Sequence, residues 1–461
     1  MHYILGLQTG ENRIHMQERT CIARRKTRQQ HTRILFRSIM QLRTFLVGCV
    51  LLAYAALASS DWQKRQAPMN EQVSISEQSK TDPVGAARRV RSIPGLLKKH
   101  QHLWATNSSV NNVSGTGDNW QVPWARGAWF NFNPVAIGTS ELGYLSIPHA
   151  FHGFVLNRTF EVRNGNATVV APFYEKLLKD KTKFKRAVIA WPGKWRDSWR
   201  FINMLENAYR VGAKYPELCM PPREEVFMIS PLFMNELDRV AMHSREALYK
   251  SSQWSAGGTV REPKEGKGLS SFEVMDQFID MLFDKSQFPN IEKIVIVGHS
   301  MGGQAALHYS ILRKYNEQQD CSMRFWIGDP GSYTFFDSER SNSTAHCKSY
   351  NNWPYGISRH TIPKYARHRA GHRGKTLIEG FRRRKIDFAL ALNDNGPGVK
   401  NCQARAQGPN RLARATDFII RQGESSEGWP KDHTVNFVPG FSHQDYPMMS
   451  ELRNLHSIFV A

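Results

Sequence analysis

Short apolar runs that end near glycine or proline recur along the chain from position 187 onward. They occupy 187–191, 226–230, 291–297, 324–327, 386–392 and 434–438. Runs of this length, rich in β-branched and aromatic residues, are typical of strands buried on both faces. Between them, apolar residues recur at three- and four-residue spacing in 272–283 and 304–315, which predicts helices. Strands that alternate with helices predict an α/β fold with a mostly parallel central sheet flanked by helices.

The strongest local motif follows the third of these predicted strands. The sequence GHSMG at 298–302 joins this strand to the next predicted helix. Small residues on both sides of a serine permit the sharp turn that exposes its hydroxyl at the carboxyl end of a sheet. The sequence therefore predicts Ser300 as a nucleophile, and the N–H of Met301 as one donor to an oxyanion.

A nucleophilic serine needs a base to take its proton and an acid to orient that base. His443 follows the last predicted strand through a short turn, whereas His433 precedes that strand and is expected at its opposite end. Asp394 follows the preceding predicted strand and gives the chain order serine, acid, histidine. Asp329, which comes soon after the predicted strand at 324–327, is the alternative acid.

The loop after the first predicted strand is expected to supply the second oxyanion donor. Gly193 allows a close approach of the backbone, and the N–H of Lys194 is the donor that we expect. Neither a Cys-x-x-Cys pair nor a His/Cys spacing typical of zinc sites occurs in the sequence. We therefore expect no metal and no cofactor.

Several longer segments resemble one known family. They are PGKWRD at 192–197, LSSFEVMD at 269–276, FPNIEKIVIVGHSMGGQ at 288–304, GDPGSYTFFDSER at 328–340, CKSYNNWPYG at 347–356, CQARAQGPNRLAR at 402–414 and VPGFSH at 438–443. Together they are similar to the α/β-hydrolase superfamily and, within it, to a poorly characterised group of secreted fungal and bacterial serine hydrolases. The resemblance implies an α/β-hydrolase fold, a Ser300–Asp394–His443 triad and hydrolysis of carboxylic esters. The chain departs from the pattern of the group where Asp329 replaces the usual asparagine, which keeps this residue open as the acid.

Other functions remain open for such a scaffold. One is a catalytically inactive hydrolase fold that serves only in binding. Another is a peptidase or an acyltransferase built on the same scaffold. If the chain is an active hydrolase, the expected partner is a small-molecule or lipid-like ester.

An uncharged apolar stretch at 44–58 follows Arg43 and ends in small residues. This is the pattern of a secretory signal peptide. Met40 lies just upstream, so we expect translation to start there, with a signal peptide at 40–58 and residues 1–39 as a spurious extension. The secreted chain would then start at Ser59. The alternative is a signal anchor in a membrane, although the stretch is shorter than the about 20 residues of a typical span.

The composition divides the rest of the chain into two parts. Residues 59–118 are polar and predict a segment of low order or a pro-segment, with a candidate basic processing site at 88–91, whereas 119–461 predicts the catalytic domain. The formal net charge is +22, of which residues 1–58, with nine basic and two acidic residues, carry +7. Ten basic residues lie within 359–385 beside one acid, so this stretch is a candidate for weak association with anionic surfaces. No nucleic-acid recognition motif accompanies it.

The cysteines and the glycosylation sequons agree with export. Two of the six cysteines precede position 59, and the remaining four predict two disulfides in an oxidising compartment. We expect Cys347 to pair with Cys402, because both lie in loops that leave carboxyl ends of strands, and Cys219 to pair with Cys321. Candidate glycosylation sites are Asn107, Asn112, Asn157, Asn166 and Asn342.

Overall fold

The computed structural model describes residues 59–93, 96, 121–177 and 180–461. By its internal contacts the chain divides into two units, Met1–Ala67 and Pro68–Ala461, and the second unit contains the sheet and the candidate site. Several predicted features lie outside the described residues. They are the signal peptide at 40–58, the extension at 1–39, the sequons at Asn107 and Asn112, and the remainder of the polar segment at 94–95 and 97–118.

The described part of the chain is built around one large sheet. In chain order the strands are β1 (Ile137–Thr139), β2 (Gly143–Ser146), β3 (Ala150–Phe151), β4 (Phe154–Asn157), β5 (Glu161–Asn164), β6 (Ala167–Val170), β7 (Phe173–Lys176), β8 (Arg186–Trp191), β9 (Val226–Pro231), β10 (Met234–Asn235), β11 (Leu248–Tyr249), β12 (Val260–Glu262), β13 (Lys293–His299), β14 (Met323–Gly328), β15 (Lys385–Ala391) and β16 (His433–Val438). Nine of them form the sheet in the order β3-β4-β7-β9-β8-β13-β14-β15-β16. The strands from β9 to β16 in this order are parallel, whereas β3, β4 and β7 pair antiparallel with their neighbours.

Helices cover both faces of this sheet. In chain order they are α1 (Ser59–Gln78), α2 (Pro83–Ser92), α3 (Ser198–Gly212), α4 (Ser271–Phe283), α5 (Met301–Leu312), α6 (Glu317–Asp320), α7 (Lys364–Arg367), α8 (Lys375–Arg382), α9 (Cys402–Gln407), α10 (Arg411–Glu424), α11 (Asp445–Ser450) and α12 (Leu452–Phe459). Alternate residues of β8 pack into two different cores: Ile189 and Trp191 join the core with α4, α5, α8 and α10, whereas Val188 and Ala190 join the core with α3, α11 and α12. Strands covered on both faces are continuously apolar, which is why the sequence shows runs rather than alternation.

The predicted α/β architecture is confirmed. Each of the six apolar runs lies wholly or largely within one of the strands β8, β9, β13, β14, β15 and β16, and helix α4 covers the predicted segment at 272–283. Helix α4 begins where its sequence predicts, because the side chain of Ser270 caps the helix and Glu273 completes a capping box. Helix α5 covers most of the predicted segment at 304–315 and starts three residues earlier.

The order of the strands creates a crevice at the centre of the sheet. The chain passes from β8 to its neighbour β9 and then returns to β13 on the other side of β8. Ligands of open α/β sheets bind at such a switch point, outside the carboxyl ends of the strands. This strand order, with the GHSMG turn directly after β13, is the α/β-hydrolase fold.

Part of the polar segment, at 69–92, forms helices that pack on the domain, which differs from the prediction of low order; for 97–118 that prediction lies outside the described residues. The helices α1 and α2 bury Ile75, Ala86, Ala87 and Val90 in the same core as α4 and α5. These apolar residues are too sparse to build a core of their own, and composition alone therefore suggests disorder. They fold because the body of the domain supplies the other side of the contact.

The candidate processing site at 88–91 lies within helix α2. Arg89 pairs with Glu71, and Arg91 pairs with Asp417 at 2.7 Å. The basic residues of this motif are therefore engaged in ion pairs that fasten the N-terminal helices.

The structure contains the Cys347–Cys402 disulfide, whereas Cys219 and Cys321 are free and exposed. The predicted Cys219–Cys321 pair is therefore wrong. Cys219 lies in the segment that enters β9, and Cys321 lies in the segment that enters β14, three positions away in the sheet. Three strand spacings amount to about 14 Å, twice the Cα separation of about 7 Å that a disulfide can span.

The basic stretch at 359–385 is only partly free for a partner. Arg384 is buried and binds Asp320 and the carbonyl oxygens of Ser310 and Arg313 at the end of helix α5. Other side chains of this stretch are exposed, among them Arg373, and association with anionic surfaces stays a prediction. Within the described residues, no helix has the length and the apolar character that crossing a membrane requires.

The three described sequons differ in their surroundings. Asn166 and Asn342 are exposed, whereas Asn157 is half-buried and its amide donates to Glu175 at 2.7 Å. Glycosylation stays a prediction at each of them.

Replacing both Cys347 and Cys402 by serine should lower the free energy of unfolding by about 2–4 kcal/mol, because the disulfide joins residues 55 positions apart. The matched control replaces the exposed Cys219 and Cys321 by serine and should change it by less than about 0.5 kcal/mol. Urea unfolding at equilibrium measures both values. Equal losses in the two double variants would contradict the assignment.

Candidate active site

Ser300 occupies the sharp turn between β13 and α5. Its backbone has φ 58° and ψ −120°, a strained conformation for a residue with a side chain, and its N–H donates to the carbonyl oxygen of Gly328 at 2.8 Å. A β-carbon on Gly298 would collide with the carbonyl oxygen of Gly302, and one on Gly302 would collide with that of Trp191. The turn therefore requires glycine at both positions, as the motif predicts.

Three of the predicted site residues form one line of hydrogen bonds. His443 Nε2 lies 2.8 Å from Ser300 Oγ, and His443 Nδ1 lies 2.8 Å from Asp394 Oδ2. In the tautomer with its proton on Nδ1, the imidazole donates to the carboxylate and leaves Nε2 free to accept from the serine hydroxyl. Ser300 and His443 are partly exposed, whereas Asp394 is buried.

The carboxylate of Asp394 is stabilised by two neighbouring side chains. Burial raises the pKa of this carboxyl, but its electrostatic and hydrogen-bond interactions with His443 and Arg411 outweigh the burial and lower the pKa to about 2. Arg411 Nη1 donates to Asp394 Oδ1 at 2.8 Å, which leaves Oδ2 for the histidine. The loop is fixed from the same side, because the N–H of Leu412 donates to the carbonyl oxygen of Asp394.

The predicted oxyanion loop lies against the turn at Ser300. Gly302 contacts the carbonyl oxygens of Trp191 and Pro192, and a β-carbon on Gly193 would lie 3.9 Å from the carbonyl oxygen of His299. Met301 is the first residue of helix α5, and the first four N–H groups of an α-helix have no acceptor within the helix. The oxyanion-binding roles of the N–H groups of Met301 and Lys194 stay predictions.

The alternative acid, Asp329, faces a different histidine. Its Oδ2 lies 3.2 Å from His299 Nε2, and its Oδ1 accepts the N–H of Ala391 at 2.8 Å. Burial and the nearby charge of Asp394 raise the pKa of Asp329, although the hydrogen bond from His299 opposes the shift. The structure thus brings Asp394, and not Asp329, to the Nδ1 atom of His443.

His299 is a second buried imidazole beside the first. Its ring centroid lies 4.8 Å from that of His443, and its two nitrogens face the carboxylates of Asp329 and Asp445. Burial lowers the pKa of His299, but these carboxylates outweigh the burial and raise it to about 10. Arg200 completes the network by donating to Asp445 at 2.8 Å.

One cluster of these side chains has the composition of a metal site. The potential ligand atoms of His299, Asp329 and His443 lie within 4.8 Å of one another. Both nitrogens of each histidine already face a partner, so a metal ion would have to displace a hydrogen bond that the site uses.

Sequence reasoning missed three residues of this site. Arg411 lies within the QGPNR segment that carries the family resemblance, and the cap that Asn410 forms on helix α10 places it beside the acid. His299 lies within the serine motif, but its role depends on Asp445, whose contact with it spans about 145 positions of the chain. No local pattern announces such a contact. His433, by contrast, opens β16 at the opposite end of the sheet, as the sequence predicts.

A cavity of about 370 Å³ lies beside the predicted oxyanion loop after β8. Its lining includes Tyr144, Trp195, Trp199 and Arg200. The hydroxyl of Tyr144 donates to the carbonyl oxygen of Trp195 at 2.8 Å, so the wall of the cavity is fastened to the loop. A larger cavity, of about 520 Å³, lies at the amino ends of β15 and β16, away from the serine.

No family model and no curated protein matches this chain. Among solved structures, it is similar to LpqC, a poly(3-hydroxybutyrate) depolymerase from Bordetella parapertussis, with 16% identity over 65% of this chain and 87% of that chain, at a TM-score of 0.41. It is similar to poly(aspartic acid) hydrolase-1 from Sphingomonas sp. KT-1, with 15% identity over 66% of this chain and 97% of that chain, at a TM-score of 0.43. It is also similar to the siderophore hydrolase EstB from Aspergillus nidulans, with 12% identity over 67% of this chain and 96% of that chain, at a TM-score of 0.35. At these values the likeness supports no inference about substrate, and the fold assignment rests on the strand order.

Two buried histidines should have pKa values that are shifted in opposite directions. His299 should stay protonated at pH 8, because two carboxylates raise its pKa to about 10 despite burial, whereas burial lowers the pKa of His308 to about 4 and should keep it neutral at pH 6. Nitrogen-15 NMR of the imidazole rings measures both states, with His299→Gln and His308→Asn for assignment.

The same two shifts fix the sign of the stability changes. The contribution of His299 to the free energy of unfolding should fall as pH rises from about 6.5 to 10, because the unfolded chain releases this proton at a lower pH than the folded protein. The free energy of unfolding should also fall as pH drops from about 6.5 to 4, because the unfolded chain protonates His308 at a higher pH than the folded protein does. A neutral His299 at pH 8 would contradict the assigned network.

Proposed function

We propose that this chain is a serine hydrolase that cleaves carboxylic esters through an acyl-enzyme intermediate. The observation that carries the proposal is the single line of hydrogen bonds from Ser300 through His443 to Asp394. It stands at the turn where the fold exposes a nucleophile, with a glycine loop packed beside it. Nucleophile, base and orienting acid are the three parts that covalent acyl transfer requires.

Acylation begins when Ser300 Oγ attacks the ester carbonyl carbon. His443 Nε2 takes the hydroxyl proton as the new bond forms, and the carboxylate of Asp394 stabilises the resulting imidazolium. The negative charge that develops on the carbonyl oxygen is placed toward the N–H groups of Met301 and Lys194. The carbon–oxygen bond to the alcohol then breaks, and His443 returns the proton to the leaving alcohol.

Deacylation repeats these steps with water. His443 removes a proton from the water as its oxygen attacks the acyl carbon, and the proton then passes to Ser300 Oγ as the acid leaves. The low pKa of Asp394 keeps its carboxylate charged, because its interactions with His443 and Arg411 outweigh the effect of burial. The net reaction consumes one ester and one water and yields one acid and one alcohol.

The exposed apolar side chains near the loop that follows β8 favour an apolar ester. The cavity beside this loop is lined by Trp195, Trp199 and Tyr144 together with the charged Glu141, Asp197 and Arg200, so the cavity alone does not indicate the polarity of the ester. The segment that leads into the cavity exposes large apolar side chains, which are Trp129, Phe132, Val135, Ile137, Leu142 and Leu145. Clusters of exposed apolar side chains mark binding surfaces more often than chance. An ester panel of varied acyl length should therefore favour apolar acyl groups over short polar ones.

A fluorophosphonate probe should label the purified protein, and Ser300→Ala should abolish the labelling, because the probe reacts with an activated serine. Ser310→Ala is the matched control: this serine lies on helix α5, which follows Ser300, is buried, and its hydroxyl donates to the carbonyl oxygen of Leu307. The control should label at the rate of the parent. A folded parent that does not react would favour a binding protein without catalysis.

Exchange of each candidate acid for its amide should separate their roles. Asp394→Asn leaves His443 without the carboxylate that fixes its tautomer, so turnover should fall by a factor of the order of 10⁴. Asp329→Asn should have a small effect on turnover, because Asp329 contacts His299 instead. Ester hydrolysis is measured for both, with circular dichroism to show that each is folded. An Asp394→Asn enzyme within about tenfold of the parent, a loss of about 1.4 kcal/mol, would reject this acid.

A further inference from the structure

One buried side chain from the N-terminal helix α1 joins the two loops that carry Asp394 and His443. Gln72 Nε2 donates to Asn393 Oδ1 at 2.9 Å, and the N–H of Gly440 donates to Gln72 Oε1 at 2.7 Å. The side chain is fully buried, and both ends of its amide are used. Its two partners lie 321 and 368 positions further along the chain.

Each partner lies in a loop that carries a residue of the proposed hydrogen-bonded line. Asn393 directly precedes Asp394, and Gly440 lies in the turn that leads from β16 to His443. The two loops also contact each other directly, since the N–H of Asn393 donates to the carbonyl oxygen of Phe441 at 2.8 Å. Gln72 lies outside both loops and forms a hydrogen bond with each of them. These bonds hold the loops relative to the body of the domain as well as to each other.

Helix α1 is anchored firmly enough to serve as a reference for these loops. Ile75, one turn after Gln72, is fully buried in the core. Arg89 of helix α2 pairs with Glu71 at 2.7 Å, and Arg453 donates to the carbonyl oxygen of Ser76 at 3.2 Å. The position of the amide of Gln72 is thus set by packing on several sides.

We propose that Gln72 is a positioning residue that holds the Asp394 loop and the His443 loop at the separation that acyl transfer needs. The proposal rests on the proposed function, because it assigns Gln72 a role in turnover. Its physical basis is that reacting groups must be held within a fraction of an ångström, and that misplacement by about 1 Å can cost about 10²-fold in rate. A buried amide with both ends satisfied resists displacement, because breaking either bond leaves an unpaired polar group.

The test compares the full-length parent with Gln72→Met and Gln72→Glu. Methionine keeps the volume but makes neither bond, so kcat should fall at least about tenfold while KM stays within about twofold. Glutamate keeps the acceptor for the N–H of Gly440. Its second oxygen can donate to Asn393 Oδ1 when protonated, or accept from Asn393 Nδ2, a buried atom that has no other partner among the described residues. Gln72→Glu should therefore retain kcat within about threefold of the parent.

Gln407→Met is the matched control for lost stability. Gln407 is fully buried and also uses both ends of its amide: it accepts the N–H of Tyr333 and donates to the carbonyl oxygens of Tyr333 and, at 3.4 Å, of Tyr355. It should lose thermal stability as Gln72→Met does, yet keep kcat within about twofold. Equal losses of kcat in the two methionine variants would overturn the proposal.

A second variant keeps the test decisive if Gln72→Met does not fold. Asn393→Ala removes the same tie from its other end without changing helix α1, and it should lower kcat at least about tenfold with little change in KM. If both variants fold, the double variant should be no slower than the slower single variant, because the bond that Asn393→Ala breaks is already absent in Gln72→Met. A folded Gln72→Met or Asn393→Ala enzyme with the kcat of an active parent would overturn the positioning role alone. A parent that neither hydrolyses esters nor reacts with a fluorophosphonate would overturn the proposed function and this role together.

Discussion

The turn at Ser300 is the constraint on which the site depends. A side-chain-bearing residue stands there at φ 58°, and the turn closes only because Gly298 and Gly302 let the strand, the helix and the neighbouring loop approach each other. The contact between Gly302 and the carbonyl oxygen of Trp191 brings the loop after β8 and the serine together in one place. The rest of the site is arranged around a point that the backbone alone determines.

Buried charges surround this point, and they are arranged in two adjacent groups. In one, His443 lies between Ser300 and Asp394, whose carboxylate is supported by Arg411. In the other, His299 lies between two carboxylates and stays charged, with its ring centroid 4.8 Å from that of His443. Burying a charged group away from water is costly in free energy, and a buried charge that lacks a partner is strongly destabilising. The pairing separates a histidine that is free to exchange a proton with the serine from one that is held in its charged form.

Much of the fold could be predicted from local patterns. The strands β8, β13 and β16 are apolar runs with clear ends, and the serine motif needs only its immediate neighbours, so periodicity and turn chemistry suffice. The order of the elements also predicts that His443, Asp394 and Asp329 lie at the carboxyl ends of strands, but it leaves open which aspartate meets the histidine. These predictions depend on interactions that are short in sequence or fixed by the topology of parallel sheets.

The remaining features depend on contacts between distant parts of the chain. Helices α1 and α2 are polar in sequence and fold because the body of the domain covers their few apolar residues. The even number of cysteines suggests that Cys219 and Cys321 pair, but their segments enter strands three positions apart in the sheet. The contact of Gln72 with the loop after β15 spans 321 positions and has no local signature.

The central claim is that the serine exposed at this turn forms a covalent acyl intermediate with the substrate. Intact-mass spectrometry of the protein, acid-quenched during turnover of a p-nitrophenyl ester, tests it most directly. The account predicts a mass increase of one acyl group, located by peptide mapping at Ser300, and its absence in Ser300→Ala. Ester hydrolysis that proceeds with no adduct at Ser300, and that persists in Ser300→Ala, would contradict the account.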